Sequence, residues 1–99
     1  MFSHVVIFWT DRDNPAAADE LLSGIQKYLL TIPGLIHISA GKMSPSARDV
    51  VDQSYQVGLN VVFPSQKAQE DYQKHPQHQE FLHSYFKKFC VKVRVYDFE

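Results

Sequence analysis

Two periods of apolar residues organise this chain. From Phe2 to Thr10 the residues are densely apolar, β-branched and aromatic, and Asp11-Arg12-Asp13-Asn14-Pro15 ends the run. That composition predicts a strand and then a turn. Asn14 ahead of Pro15 reads as a helix N-cap with proline at the first helical position. Ala18, Leu21, Leu22, Ile25, Tyr28, Leu29 and Ile32 then recur at helical spacing until Pro33-Gly34. They predict one amphipathic helix. Leu35 to Met43 predicts a second strand, and Ser44 to Ser54, polar with Pro45, an exposed and mobile loop.

The second half repeats the alternation. Tyr55, Val57, Leu59, Val61 and Phe63 share one face of a predicted third strand. Pro64-Ser65 opens a helix through Tyr72, with Ser65 as its cap, and His75-Pro76 breaks it because proline disfavours helical geometry in the residue before it. A second helical piece carries Phe81, Leu82, Tyr85, Phe86 and Phe89. Val91, Val93 and Val95 alternate with Lys92, Arg94 and Tyr96 in a last strand. The order β-α-β-β-α-β is the split βαβ pattern of an α+β domain. Two helices would cover one sheet face, while the other is only partly polar and needs a cover. A second copy's sheet is the simplest one, since homodimers are the commonest oligomers.

Composition narrows the reading. With 99 residues the chain is one domain (1–99), and 44% hydrophobic against 21% charged residues fits a folded protein. A net charge of -1 offers no field for nucleic acid or an anionic membrane surface. No apolar run approaches the roughly 20 residues needed to cross a bilayer. Met1 to Trp9 lacks the basic start of a signal peptide, so the cytoplasm is the expected location. The single cysteine, Cys90, rules out an internal disulfide and a multi-cysteine metal site. Without a basic neighbour beyond Lys88 and Lys92, it is expected to be a buried, inert thiol.

A few polar groups stand in apolar surroundings. His4 shares a strand face with Phe2, Val6 and Phe8. A buried imidazole with unpaired nitrogens costs about 1–3 kcal/mol, so something polar must meet it, either a ligand or one internal hydrogen bond. Tyr72 and His78 bracket the Pro76 break, where a bend can aim both at one cavity. Their alternative roles are a core aromatic and a helix start. His75 and His78 form a His-x-x-His pair, but Pro76 disturbs its spacing and zinc needs three or four converging ligands, so no metal is expected. His37 and His83 are expected to face solvent. Tyr28, Phe81 and Tyr85 sit at core-like helical spacing and could also form the apolar wall of a ligand pocket.

Several segments resemble the stress-responsive α/β-barrel (Dabb) family: Phe2-Ser3-His4-Val5-Val6-Ile7-Phe8, Ile32-Pro33-Gly34-Leu35, Val61-Val62-Phe63 and Val95-Tyr96-Asp97-Phe98. The most specific is Asp71-Tyr72-Gln73-Lys74-His75-Pro76-Gln77-His78, which is similar to the family's Tyr-x-x-His-Pro-x-His segment. The resemblance implies a ferredoxin-like subunit with a four-stranded antiparallel sheet, two of which pack as a barrel. It also implies a small, apolar, carbonyl-bearing ligand and, by likeness to a plant polyketide cyclase, aldol-type proton transfer without a cofactor. In that scheme His78 is the base, Tyr72 holds the oxygen and His4 orients the ligand. The alternative is a non-catalytic, stress-related or structural dimer.

Overall fold

The computed structural model describes residues 1–99. Strand β1, Phe2–Thr10, alternates buried and half-buried side chains along its whole length. It lies inside a four-stranded antiparallel sheet of order β2-β3-β1-β4, with β2 at His37–Lys42, β3 at Val57–Phe63 and β4 at Cys90–Phe98. The period of two sends Phe2, His4, Val6 and Phe8 to the same face as Val57, Leu59, Val61 and Phe63. Helices cover that face. The chain is thus α+β with the expected ferredoxin-like order.

Helix α1, Ala17–Tyr28, lays Leu21 and Ile25 on the sheet, and the turn beyond it adds Leu29 and Ile32 to the core. Regular helix starts two residues later than the proline suggests and ends before Ile32. The N-cap position falls on Ala16, which offers no side-chain cap, and Asn14 instead shapes the turn before the helix, its Oδ1 accepting from the Ala16 amide at 3.1 Å. Gly34, at φ 92, turns the chain towards β2 in a conformation that side chains with a Cβ resist. β2 and β3 are shorter than expected because Leu35, Ile36, Tyr55 and Gln56 lie outside the regular ladder.

The loop at 44–54, expected to be mobile, is laced down. Ser46 and Gln53 exchange two hydrogen bonds, at 3.0 and 2.8 Å, and Ser54 accepts from Trp9 Nε1 at 3.0 Å and, through its carbonyl, from Arg12 at 2.9 Å.

Helix α2, Gln66–Lys74, is capped by Ser65, whose Oγ accepts from the Ala68 amide at 3.2 Å. His75 is extended, as the residue before a proline should be, and its Nδ1 accepts from the Gln77 amide at 3.1 Å. His75 is therefore the cap of helix α3, Pro76–Phe81. Gln77 ties α3 to the end of α1 by donating to the Tyr28 carbonyl at 3.1 Å and to Thr31 Oγ1 at 2.9 Å. Leu82–Phe86 then forms a π-helical turn, which the apolar spacing did not reveal, and a last turn, α4 at Lys87–Phe89, leads into β4. The π turn seats Tyr85 on Gly24, where a Cβ would stand 2.3 Å from Tyr85 Cγ. Only glycine allows that approach.

The sheet's other face is bare. Val5, Ile7 and Trp9 of β1 stand there beside Val62, Tyr96 and Phe98. A depression of about 280 Å3 over Gly41 and Gly58 lies on this side, lined by Val5, Ile7 and Tyr55 among others. No helix is long and apolar enough to cross a membrane.

Candidate functional site

The break between α2 and α3 decides what meets β1. Because Pro76 restarts the helix, Tyr72 at the end of α2 and His78 at the start of α3 converge, with ring centroids 4.8 Å apart. His4 approaches the other side of Tyr72 at 6.3 Å. All three are buried. They line one cavity of about 150 Å3 between helices and sheet, whose remaining wall is apolar apart from Gln73. That is smaller than the roughly 300–1,000 Å3 of pockets for drug-sized ligands, so its guest is small.

The polar groups are unequally satisfied. His4 Nδ1 lies 2.6 Å from Oδ1 of Asp97, its direct neighbour across the β1–β4 ladder. A carboxylate only accepts, so Nδ1 carries the hydrogen, and in the neutral imidazole Nε2 is then the acceptor. Tyr72 Oη and His78 Nδ1, by contrast, are buried with no partner in the chain. Each such orphan costs about 1–3 kcal/mol. Burial pushes the Tyr72 phenol well above its usual range. Burial first, and then the neighbouring His4, bring His78 down to about 4. At neutral pH the pair is an uncharged phenol and an uncharged imidazole. No lysine or arginine lines the cavity, so it offers nothing to neutralise an anion.

The expected pocket wall is divided. Phe81 lines the cavity, but Tyr28 and Tyr85 do not: they pair with each other at 5.9 Å on the α1 side. Leu82 and Phe86 of the π turn, with Val93 and Val95, supply the apolar surface in their place. His75 is used as a cap, and no group of three metal-ligating side chains converges anywhere in the chain. His37 and His83 are exposed. Cys90 is half-buried rather than buried, its thiol 3.1 Å from the Lys92 carbonyl and pushed up by burial. Asp97 was not singled out as a partner for His4. Its signal lay in the alternation, because a carboxylate two residues beyond Val95 falls on the face that Val93 and Val95 share.

The model of the stress-responsive A/B barrel domain matches residues 2–99. The chain belongs to the stress-responsive A/B barrel (Dabb) family. Solved structures agree in fold. A Dabb family protein with a ferredoxin-like fold from Mesorhizobium loti superposes with a TM-score of 0.79 at 22% identity, covering 99% of this chain and 94% of that one. A dimeric ferredoxin-like protein of unknown function from Thermobifida fusca gives 0.78 at 16% identity, covering 98% and 88%. A hydroxynitrile lyase from Passiflora edulis gives 0.76 at 17% identity, covering 98% and 90%. No curated protein matches the sequence. The fold is therefore one that dimeric proteins and at least one lyase use.

Proposed function

We propose that this Dabb chain is a homodimer, packed through its bare sheet face, that binds a small uncharged carbonyl compound in the His4–Tyr72–His78 cavity. There it moves a proton at the carbon next to the carbonyl, without a cofactor. The observation that supports this most is the pair of buried, unpartnered polar atoms, Tyr72 Oη and His78 Nδ1, beside a small apolar cavity. Unpaired polar groups are costly in a core and useful only to a guest that pairs with them.

The geometry favours a different division of labour from the one the family resemblance implies. A histidine held near 4 is a weak base, so His78 suits a neutral hydrogen-bonding role. His4, fixed by Asp97 with Nε2 free to accept, suits the base. In the proposed step His4 Nε2 takes the proton from the α-carbon. The electron pair moves into the carbonyl, and the developing enolate oxygen is held by the Tyr72 hydroxyl, which burial keeps protonated. The imidazolium, steadied by Asp97, then returns the proton to carbon or oxygen.

Deuterium exchange into acetone and acetophenone in heavy water, followed by mass spectrometry, tests the reading. Wild-type protein should accelerate exchange, and His4→Ala should lose about 10²–10⁴-fold of it, the usual worth of a general base. Asp97→Asn should fall between the two while staying folded by circular dichroism. A wild type that neither binds nor exchanges any neutral ketone, with Tyr72 and His78 variants equally inert, would favour the non-catalytic dimer.

A further inference from the structure

Strand β4 exposes apolar side chains on both faces although it lies at the edge of the sheet. On the bare face it carries Tyr96 and Phe98 at one end and Lys92 and Arg94 at the other. On the helix face Val93 stands opposite Phe8 and Val95 opposite Val6, yet they are 38% and 46% exposed, because the helical layer lies over β1, β2 and β3 and leaves β4 largely uncovered. Val91 next to them is more exposed still. A long edge strand with exposed apolar side chains invites pairing. Packing two bare faces together would cover Tyr96 and Phe98 but leave the valines and the free edge in water. Val93 and Val95 also line the cavity, so their exposure is its open mouth.

The chain holds a matching piece. β2 is the other free edge, and the loop that follows it, laced down through Ser46, Gln53 and Ser54, presents Val50 at a turn with 79% of it exposed. Within its own chain that valine has nothing to cover. A two-fold dimer that closes its edges, as barrels do, sets β4 of each copy beside β2 of the other, twice.

Resting on the dimer reading above, we propose that the second copy reaches round the β4 edge with its 44–54 loop. Val50 of each copy then packs on Val91, Val93 and Val95 of the other and closes the mouth of that copy's cavity. The site is complete only in the dimer. A neutral ligand therefore binds a chamber walled on its outer side by the partner.

The test uses the whole chain in a Cys90→Ser background. Val50→Cys combined with Val93→Cys, treated with a short bismaleimide, should give a covalent dimer, and neither single cysteine variant should. In the native sequence Val50→Asp should weaken the dimer at least tenfold by sedimentation equilibrium and lower acetophenone binding in parallel. A wild-type dimer that Ile7→Asp on the bare face dissociates, but that gives no cross-link between positions 50 and 93, overturns this inference and leaves the dimer reading standing. A wild type that sediments as a monomer at micromolar concentration overturns both.

Discussion

Replacing Tyr72 by phenylalanine removes one oxygen from one of the most completely buried side chains, 1% exposed and packed edge-on against Phe63 at 5.1 Å and His78 at 4.8 Å. The ring contacts survive, so no cavity penalty beyond one atom arises. What disappears is a hydroxyl with no partner, whose burial costs about 1–3 kcal/mol in general. Tyr72→Phe should therefore stabilise the protein by about 1 kcal/mol or more. For a domain of this size each kcal/mol moves the melting midpoint by roughly 4–8 °C. The measurement is urea denaturation at fixed protein concentration, since dimerisation makes apparent stability concentration-dependent. The same variant should lose the acceleration of ketone exchange, separating what the oxygen does for stability from what it does for a guest. A loss of stability on removing the hydroxyl would refute the reasoning, because it would show the oxygen is satisfied in the native state.

Two further outcomes follow from the packing and the titration. Gly24→Ala would gain helix propensity of roughly 0.8–1.0 kcal/mol, but its Cβ would meet the Tyr85 ring at 2.3 Å. Overpacking typically costs about 1–3 kcal/mol, so the urea midpoint should fall, and a rise would show that the π turn yields easily. His78 is brought from 6.5 to about 4 by folding, so between those values the unfolded chain binds the extra proton. Stability from His78 is complete above about 6.5 and is lost as pH drops to about 4. Wild type should therefore lose stability faster across that window than His78→Gln, and parallel pH profiles would contradict the assignment.

Much of the fold could be read from alternation because the residues concerned face one environment along their whole length. Phe2, His4, Val6 and Phe8 keep one face against the helices, as do Leu59, Val61 and Phe63. Local chemistry told as much at His75-Pro76, where proline's steric demand on its predecessor is independent of the rest of the chain. Elsewhere the deciding partner was distant. Tyr28 and Tyr85 have the helical spacing of pocket residues, yet the contact of Tyr85 with Gly24 draws both to the α1 side. Asp97 gained its meaning from a strand register that joins it to His4 across 93 residues of sequence. The roles within the site were also set by environment, since two residues of one type differ in their partners: Asp97 meets His4 Nδ1, while His78 Nδ1 has none in the chain.

The π turn at Leu82–Phe86 gives the cavity a second means of change. A wide turn holds one more residue than an α-helical turn, and each residue advances the helix by about 100°. Loss of a single residue there would rotate Tyr85 off Gly24 and shift Leu82 and Phe86 against Val93 and Val95, altering the room beside His78 with every lining residue type unchanged. In this architecture, chain length across one turn acts as a dial on pocket shape, and deletions between 82 and 86 could re-tune ligand size where point substitutions would only scar the core.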